Sequence, residues 1–377
     1  MKEVIGRRIK EERNRQKLTQ DELVQNSKLG WDRQTLGQIE NGEREIKAWE
    51  LARISAVLRM EIAAFFPAAP ERFSRPVVLW RQQPANHERI EAEFIGLCKD
   101  YKFVENLNSV NSSGFRKLPH KEIDLSTFKY KDAYSLAEEV RAELDLGDYP
   151  ATSLVKTLEE KYGLKLFFNE LDENASAASS VSEYGSCIII SPKEPIWRQH
   201  FSIAHELFHI VTWNDPLLHS VTTDKRLCEH NEKLANAFAA GLLVPTEPLR
   251  RETNAIARDD KLSEAGIIAI ARQFGVSLEA LLWRMANLSI IKREAAKEAL
   301  ADDKLRALDR ENRAESQIQS YFSNRFVRLA YLAYENGEIS RGRLAKILKQ
   351  PLSTLTGYLK HFGLAEVGTH EISLSNS

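Results

Sequence analysis

The sequence predicts a mostly α-helical chain with one small β-sheet, an α+β fold, organised in several domains. Most of its 377 residues fall in segments with apolar side chains at helical spacing. Two short apolar runs, residues 164–168 and 186–190, are bounded by polar turns and are typical of strands. The length predicts two or three domains. We expect an N-terminal all-α domain, a central domain that holds the strands, and a small helical module at the C-terminus.

Composition sets limits on the partners and the compartment. Hydrophobic residues make up 43% and charged residues 28%, and the net charge of −1 gives no overall attraction to nucleic acid. Cys98, Cys187 and Cys228 are odd in number and widely spaced, so we expect free thiols in a reducing compartment. The sequence shows neither a long apolar run nor a signal peptide. We therefore expect a cytoplasmic protein without a membrane partner.

The first domain, residues 1–67, has the pattern of a helix-turn-helix. Thr19 and Glu22 form a capping box at the start of one helix, and Asp32 caps the next. Asn41 and Gly42 end that second helix. Residues 18–23 and 39–44 make this segment similar to the Xre/Cro-type repressor domain. That resemblance implies a double-stranded DNA operator as partner.

The second helix of the motif would enter the major groove. The candidates for base contacts on this helix are Arg33, Gln34, Thr35 and Gln38. Thr19 and Gln20, at the start of the preceding helix, are candidates for a phosphate contact. Residues 1–66 hold 13 Lys and Arg against 11 Asp and Glu, so their net positive charge is small. Because a monomer with so little charge should bind DNA poorly, we expect a homodimer on DNA. The alternative is a helix-turn-helix that contacts only protein.

Residues 68–131 are predicted to be a linker that begins at a proline-rich boundary, residues 67–70. Residues 75–81 are predicted to be a short strand and residues 86–107 an amphipathic helix. Residues 108–131 are predicted to be a loop. A spacer or dimerisation role is the default for this segment.

The most informative motif is His205-Glu206-Leu207-Phe208-His209, on a predicted helix. Residues four apart share a helix face, so both imidazoles can bind one Zn²⁺. Glu206 lies between them and would act as a base on water rather than as a ligand. A catalytic zinc needs a third protein ligand.

Glu232 is the preferred third ligand, because its helix also carries Asn236 one turn later, where it could orient a ligand. The alternative candidates for the third ligand are Asp224, Glu229 and His230. Cys228 is interpreted as an inert thiol rather than a ligand.

These two motifs, with Leu242-Leu243-x-Pro245, resemble the ImmA/IrrE metallopeptidases, which inactivate transcriptional repressors by proteolysis. The resemblance covers about residues 130–290, because it also includes residues 136–144, 158–163 and 274–277 and Arg198. It implies a gluzincin-like zinc metallopeptidase domain, residues 132–290, with one zinc per chain and a repressor as substrate. Residues 175–185 depart from the family by having Ala and Ser where a glycine-containing turn is common. Tyr184 and Arg198 are candidates to stabilise the oxyanion.

Residues 172–185 are predicted to be a polar loop at the rim of the cleft. Residues 186–190 are predicted to be the edge strand that binds a peptide, with a fully buried strand as the alternative.

Residues 291–377 are predicted to be a helical module. Residues 291–319 are interpreted as a solvated helix, and residues 339–360 show a second helix-turn-helix pattern with Ser340 as cap. A packing role is favoured over nucleic-acid binding for this module.

The motifs thus predict a zinc-dependent endopeptidase fused to a DNA-binding domain, and the resemblance implies that it regulates transcription by cleaving a repressor. The alternative is a regulator whose metal domain senses a ligand or stress without proteolysis.

Overall fold

The computed structural model describes residues 2–58, 62–65, 78–80, 87–110, 114–169, 171, 175–258, 261–311 and 322–365. The chain divides into two compact units, Met1–Arg75 and Pro76–Ser377. The boundary predicted at residues 67–70 lies outside the described residues. Among those that are described, no single helix has the length and hydropathy to span a membrane, although one bent helix pair meets both criteria.

The first unit is a bundle of short helices. Its helices are α1 (Lys2–Arg15), α2 (Gln20–Ser27), α3 (Arg33–Glu40), α4 (Ala48–Leu58) and a 3₁₀ turn at Ile62–Phe65. The predicted caps are confirmed, since Thr19 and Glu22 form the capping box of α2 and Asp32 accepts from the backbone N–H of Thr35. Apolar side chains from every element meet in one core: Ile5, Ile9, Leu23, Leu36, Ile39, Leu51, Ile54, Leu58 and Phe65.

A four-stranded mixed sheet organises the second unit. Its strands are β1 (Val78–Trp80), β2 (Lys165–Phe168), β3 (Ala177–Ser182) and β4 (Gly185–Ile190), in the order β1-β3-β4-β2. β3 pairs antiparallel with β1 and β4, whereas β2 pairs parallel with β4. β4 is therefore central, and the prediction that residues 186–190 form an edge strand was wrong. The predicted loop over residues 172–185 was wrong from Ala177 to Ser182, and residues 172–174 lie outside the description.

The two faces of the sheet carry two separate cores. Alternate side chains of β4 point to opposite faces, with Ile188 and Ile190 in one core and Cys187 and Ile189 in the other. The first core includes α6 (Tyr130–Glu143), α7 (Leu154–Tyr162), α8 (Ile196–Val211) and α10 (Lys225–Leu243). The second core includes α5 (His87–Leu107), α16 (Asn324–Glu335), α17 (Arg341–Ile347) and α18 (Leu355–His361).

This arrangement refines what was expected of the flanking segments. The predicted helix over residues 86–107 is α5, and within the predicted strand over residues 75–81 the described part is β1. The remaining helices are α9 (Asp215–Thr223), α11 (Thr246–Ile256), α12 (Glu264–Gln273), α13 (Leu278–Asn287), α14 (Arg293–Ala301) and α15 (Asp303–Glu311). The single helix predicted over residues 291–319 was wrong, because the chain leaves α14 at Asp302, whose carboxylate caps α15. Residues 312–319 lie outside the described part.

Candidate metal centre

Two helices of the first core bring the predicted ligands together. α8 carries His205 and His209 one turn apart, and both side chains are buried. α10 packs along α8 and contributes Glu232 from its second turn. Apolar residues of both helices, among them Leu207, Phe208, Leu234 and Phe238, fill the surrounding core. The metal face of α8 is thus held by packing on its other faces.

The spacing of the three donor groups fits a zinc ion. His205 Nε2 lies 3.2 Å from His209 Nε2 and 3.1 Å from Glu232 Oε2, and His209 Nε2 lies 3.3 Å from Glu232 Oε1. Tetrahedral bonds of roughly 2.0–2.1 Å to zinc place neighbouring ligand atoms about 3.3 Å apart. The donor atoms therefore lie close to the corners that such an ion requires. Within the described residues, these three form the cluster capable of holding a metal.

Two asparagines of α10 contact the Nδ1 atoms of the imidazoles, the ring nitrogens that lie away from the donor cluster. Asn236 Oδ1 lies 3.1 Å from His205 Nδ1, the partner predicted for this residue. Asn231 Nδ2 lies 3.2 Å from His209 Nδ1, while its buried Oδ1 has no partner among the described residues. Rotation of the amide by 180° would let Oδ1 accept a proton from Nδ1, the tautomer a metal at Nε2 requires. Sequence reasoning missed Asn231, although it directly precedes Glu232.

A serine from the sheet holds the carboxylate between the histidines. Ser179 on β3 donates a hydrogen bond of 2.6 Å from Oγ to Glu206 Oε2, and both side chains are buried. Because residues 172–185 were taken for a loop, sequence reasoning missed Ser179. The signal available was the alternation along β3, which turns residues 177, 179 and 181 to the face of α8.

The electrostatics of the site favour an ionised carboxylate. Burial alone would raise the pKa of Glu232, but the neighbouring imidazoles of His209 and His205 outweigh it and lower that pKa to about 2. For His209, burial opposes protonation, and the attraction of Glu232 nevertheless raises its pKa. A metal cation at this position would supply the positive charge that stabilises the ionised Glu232 carboxylate.

The rival ligands have other roles. Asp224 caps the N-terminus of α10, and Glu229 pairs with Lys225 at 3.9 Å on the surface. His230 Nε2 lies 3.0 Å from the carbonyl oxygen of Phe128. None of these rivals joins the cluster formed within the described chain. Cys228 is half-buried, and burial raises the pKa of its thiol.

A cleft of about 1310 Å³ lies beside Asn236, the residue that contacts His205, and its lining does not include the three candidate ligands or Glu206. It is lined by the face of α8 that carries Trp197, Arg198 and Phe201, and by Asn236. Arg198 is half-exposed and pairs with Glu194 at 2.9 Å. Tyr184 is not brought to this cleft, because the turn between β3 and β4 directs it against the second core, across the sheet.

The predicted DNA-contacting residues lie on or next to α2 and α3 in the first unit. Arg33, Gln34 and Gln38 are exposed on α3, and Thr35 is half-buried. Arg33 Nε donates to Gln20 Oε1 at 3.2 Å, so the first turns of α2 and α3 are linked. Thr19 is exposed but uses its hydroxyl oxygen to cap α2. The structure places all six residues at the N-terminal ends of α2 and α3 or, for Gln38, one turn further along α3.

Solved structures of several regulators match this chain at low sequence identity and low TM-score. A Mycobacterium tuberculosis transcriptional regulator is 18% identical over 50% of this chain and 52% of that one, with a TM-score of 0.32, so the match spans about half of its length. PlcR of Bacillus thuringiensis, solved with the peptide PapR7 and DNA, is 13% identical over 96% of this chain and 97% of its own, with a TM-score of 0.18. ComR of Streptococcus vestibularis is 14% identical over 97% and 99%, with a TM-score of 0.17. No curated protein matches the sequence.

Family comparison assigns two segments of the chain. Residues 9–65 match the helix-turn-helix family. Residues 159–286, which include α8 and α10, match the peptidase family described as the IrrE N-terminal-like domain. The chain therefore combines a helix-turn-helix domain of the Xre/Cro type with a peptidase domain of the IrrE N-terminal-like family.

Proposed function

We propose that this protein is a zinc-dependent endopeptidase that regulates transcription by cleaving a repressor protein. The observation that carries the proposal is the convergence of His205, His209 and Glu232 at the spacing of a zinc site, beside a glutamate that is not a ligand. A zinc ion bound there would polarise the scissile carbonyl and lower the pKa of a water molecule toward 7.

Glu206 is the proposed general base and acid. It sits between the two histidines on the buried face of α8 and takes a proton from the attacking water. The same carboxyl group then delivers a proton to the leaving amine of the cleaved peptide. Ser179 donates a hydrogen bond of 2.6 Å to Glu206 Oε2 and so holds the orientation of the proposed base.

The asparagines serve this chemistry by orienting the imidazoles. Asn236 and Asn231 contact the Nδ1 atoms of His205 and His209, so that each Nε2 is directed to the metal position. Arg198 lies two helical turns before His205, on the wall of the cleft, and is the candidate for stabilising the oxyanion. Tyr184 is less suited to that role, because it packs on the opposite face of the sheet.

The cleft supports a polypeptide substrate. Its volume of about 1310 Å³ exceeds the roughly 300–1,000 Å³ of pockets for small ligands. Aromatic side chains, including Tyr130, Tyr134, Trp197 and Trp283, line it next to Asn236. Such walls bind peptide side chains by apolar contact, and Asn236 connects this cleft with His205 of the proposed metal site.

The first unit is proposed to direct the enzyme to its target. Arg33, Gln34 and Gln38 would contact base edges of an operator, as a homodimer with two half-sites. A repressor of the same helix-turn-helix type, bound at that DNA, is the proposed substrate.

Metal content and cleavage together test the proposal. Purified wild-type protein should hold about one zinc per chain by elemental analysis, whereas Glu232→Ala should lose it, since one of three ligands is gone. Glu229→Ala, three residues earlier on the same helix, is the matched control and should retain the zinc. Glu206→Gln should also retain the zinc but should no longer cleave a co-expressed repressor of the helix-turn-helix type.

The outcomes separate the proposal from its alternative. Retention of zinc by Glu232→Ala would overturn the ligand set. Equal amounts of intact repressor with zinc-loaded wild type and with zinc-loaded Glu206→Gln would favour a metal domain that senses without proteolysis.

A further inference from the structure

The C-terminal helices repeat the geometry of the N-terminal helix-turn-helix. Ser340 caps α17 by accepting a hydrogen bond from the N–H of Arg343, as Thr19 caps α2. Nine residues after each cap the chain turns at a lysine with a left-handed backbone, Lys349 at φ 51° and Lys28 at φ 52°. A second helix follows each turn, α18 in one case and α3 in the other.

The buried positions of the two motifs also correspond. Counting from the cap, positions four and five are Leu344 and Ala345 in α17 and position eight is Leu348, directly after the helix, and all three are buried. The same positions in α2 are Leu23, Val24 and Ser27, which are buried as well. Leu355 and Leu359 bury the inner face of α18 in the second core. The opposite faces of α17 and α18 must therefore point to solvent.

The segment that contains α17 and α18 is strongly basic. Residues 340–365 hold five Lys and Arg, namely Arg341, Arg343, Lys346, Lys349 and Lys360, and neither Asp nor Glu. Lys346, Lys349 and Lys360 are exposed, and no ion pair in the described part of the chain includes them. Arg343 is partly engaged, since its guanidinium lies 3.9 Å from Asp100 and over the ring of Phe103. A net charge of +5 on so short a segment contrasts with the weak balance of the first 66 residues.

The exposed side of α18 suits close approach to a rod-like polyanion. Ser353, Thr354, Gly357, Lys360 and His361 are exposed along one side of the helix and the turn before it. The centre of this face is a glycine, and a Cβ built there meets nothing within 4 Å. Short hydroxyl side chains at one end and a lysine at the other are groups that contact phosphate oxygens.

We propose that α17 and α18 form a second double-stranded DNA-binding surface, which contacts mainly the phosphate backbone. The partner is assigned by the match between a helix-turn-helix segment that carries Lys and Arg but neither Asp nor Glu and the regular negative charge of a duplex. A merely solvated helix face would mix both signs, as α14 and α15 do with Glu294, Lys297, Asp303 and Lys304. The surface would add to the binding energy of the N-terminal domain without reading a sequence.

Salt dependence of DNA binding tests this surface in the full-length chain. The variant Lys346→Gln with Lys349→Gln and Lys360→Gln is titrated against a labelled random duplex of about 24 base pairs at several salt concentrations. Each lost phosphate contact reduces the slope of log K against log salt by about 0.9, so the triple variant should reduce it by about 2–3. The matched control, Lys292→Gln with Lys297→Gln and Lys304→Gln, removes the same charge from exposed positions on and around α14 and α15.

A slope that changes equally in the triple variant and in its control would overturn the proposal. So would tighter binding of an RNA duplex of the same length than of the DNA duplex. Hydrogen exchange of the wild-type protein gives a readout that needs no variant: the amides of α17 and α18 should exchange more slowly with the DNA bound. Unchanged exchange in these helices, together with slower exchange in α3, would assign all DNA contact to the first unit.

Discussion

The buried ion pair between Arg13 and Glu40 should decide whether the first unit folds. Arg13 donates from Nε to Glu40 Oε1 at 2.6 Å and from Nη2 to Oε2 at 3.0 Å, while its Nη1 reaches the carbonyl oxygen of Leu18 at 2.8 Å. Gln20 also donates to Glu40 Oε2 at 2.9 Å. The two charged side chains are 9% and 0% exposed, and the hydrogen bonds to Glu40 raise the pKa of Arg13. One pair thus ties α1, α2 and α3 together.

Glu40→Ala should unfold much of the first unit. The substitution leaves a guanidinium in the interior without its carboxylate, which costs about 3–5 kcal/mol. A domain of this size has a total stability of about 3–10 kcal/mol, at roughly 0.05–0.15 kcal/mol per residue. The loss is therefore a large part of the whole. Replacing both partners, Arg13→Met with Glu40→Leu, should restore most of the stability, because apolar side chains of similar volume need no compensating charge.

Hydrogen exchange of the α3 amides in the full-length chain is the assay, since it reports the first unit alone. Glu11→Ala is the control, because Glu11 and Arg7 form a pair at 3.8 Å with both side chains 67% exposed, and such pairs contribute little. Glu40→Ala should speed exchange at Leu36 and Ile39 by two orders of magnitude or more, as about 3 kcal/mol implies. Equal exchange rates in the Glu40 and Glu11 variants would refute the reasoning.

The parts of the structure that could be predicted are those set by local sequence. The capping of α2 by Thr19 and of α3 by Asp32 depends on residues three positions away, and both caps are observed. The pairing of His205 with His209 follows from one turn of a helix. The prediction of Glu232 as third ligand required one further step, the packing of two amphipathic helices. Glu232 was preferred over the alternatives because it shares a helix face with Asn236.

The parts that could not be predicted depend on contacts between distant segments. β3 consists largely of Ala and Ser, which have low strand propensity, and it forms because β1 and β4 pair with it on either side. Ser179 could be connected to Glu206 only once that pairing was known. The central place of β4 did leave a local signal, because an unbroken run from Cys187 to Ile190 is typical of a strand buried on both faces.

Two substitutions in the second unit test how buried carboxylates are used. Ser179→Ala should leave the zinc content unchanged but reduce repressor cleavage by about tenfold to a hundredfold. The reason is that a buried hydrogen bond to a charged group contributes about 1.5–3 kcal/mol, here to orienting Glu206. Unchanged cleavage by zinc-loaded protein would contradict this role. Glu159→Gln tests the other carboxylate, whose burial raises its pKa from 4.5 to about 7. The folded state therefore keeps a proton that the unfolded state releases between about pH 4.5 and 7, so the wild type should lose about 3 kcal/mol of stability as the pH rises through that range. Urea unfolding at pH 5 and pH 8 should show that loss in the wild type and not in Glu159→Gln, whereas the same pH dependence in both proteins would show that Glu159 ionises in the folded state as it does in water.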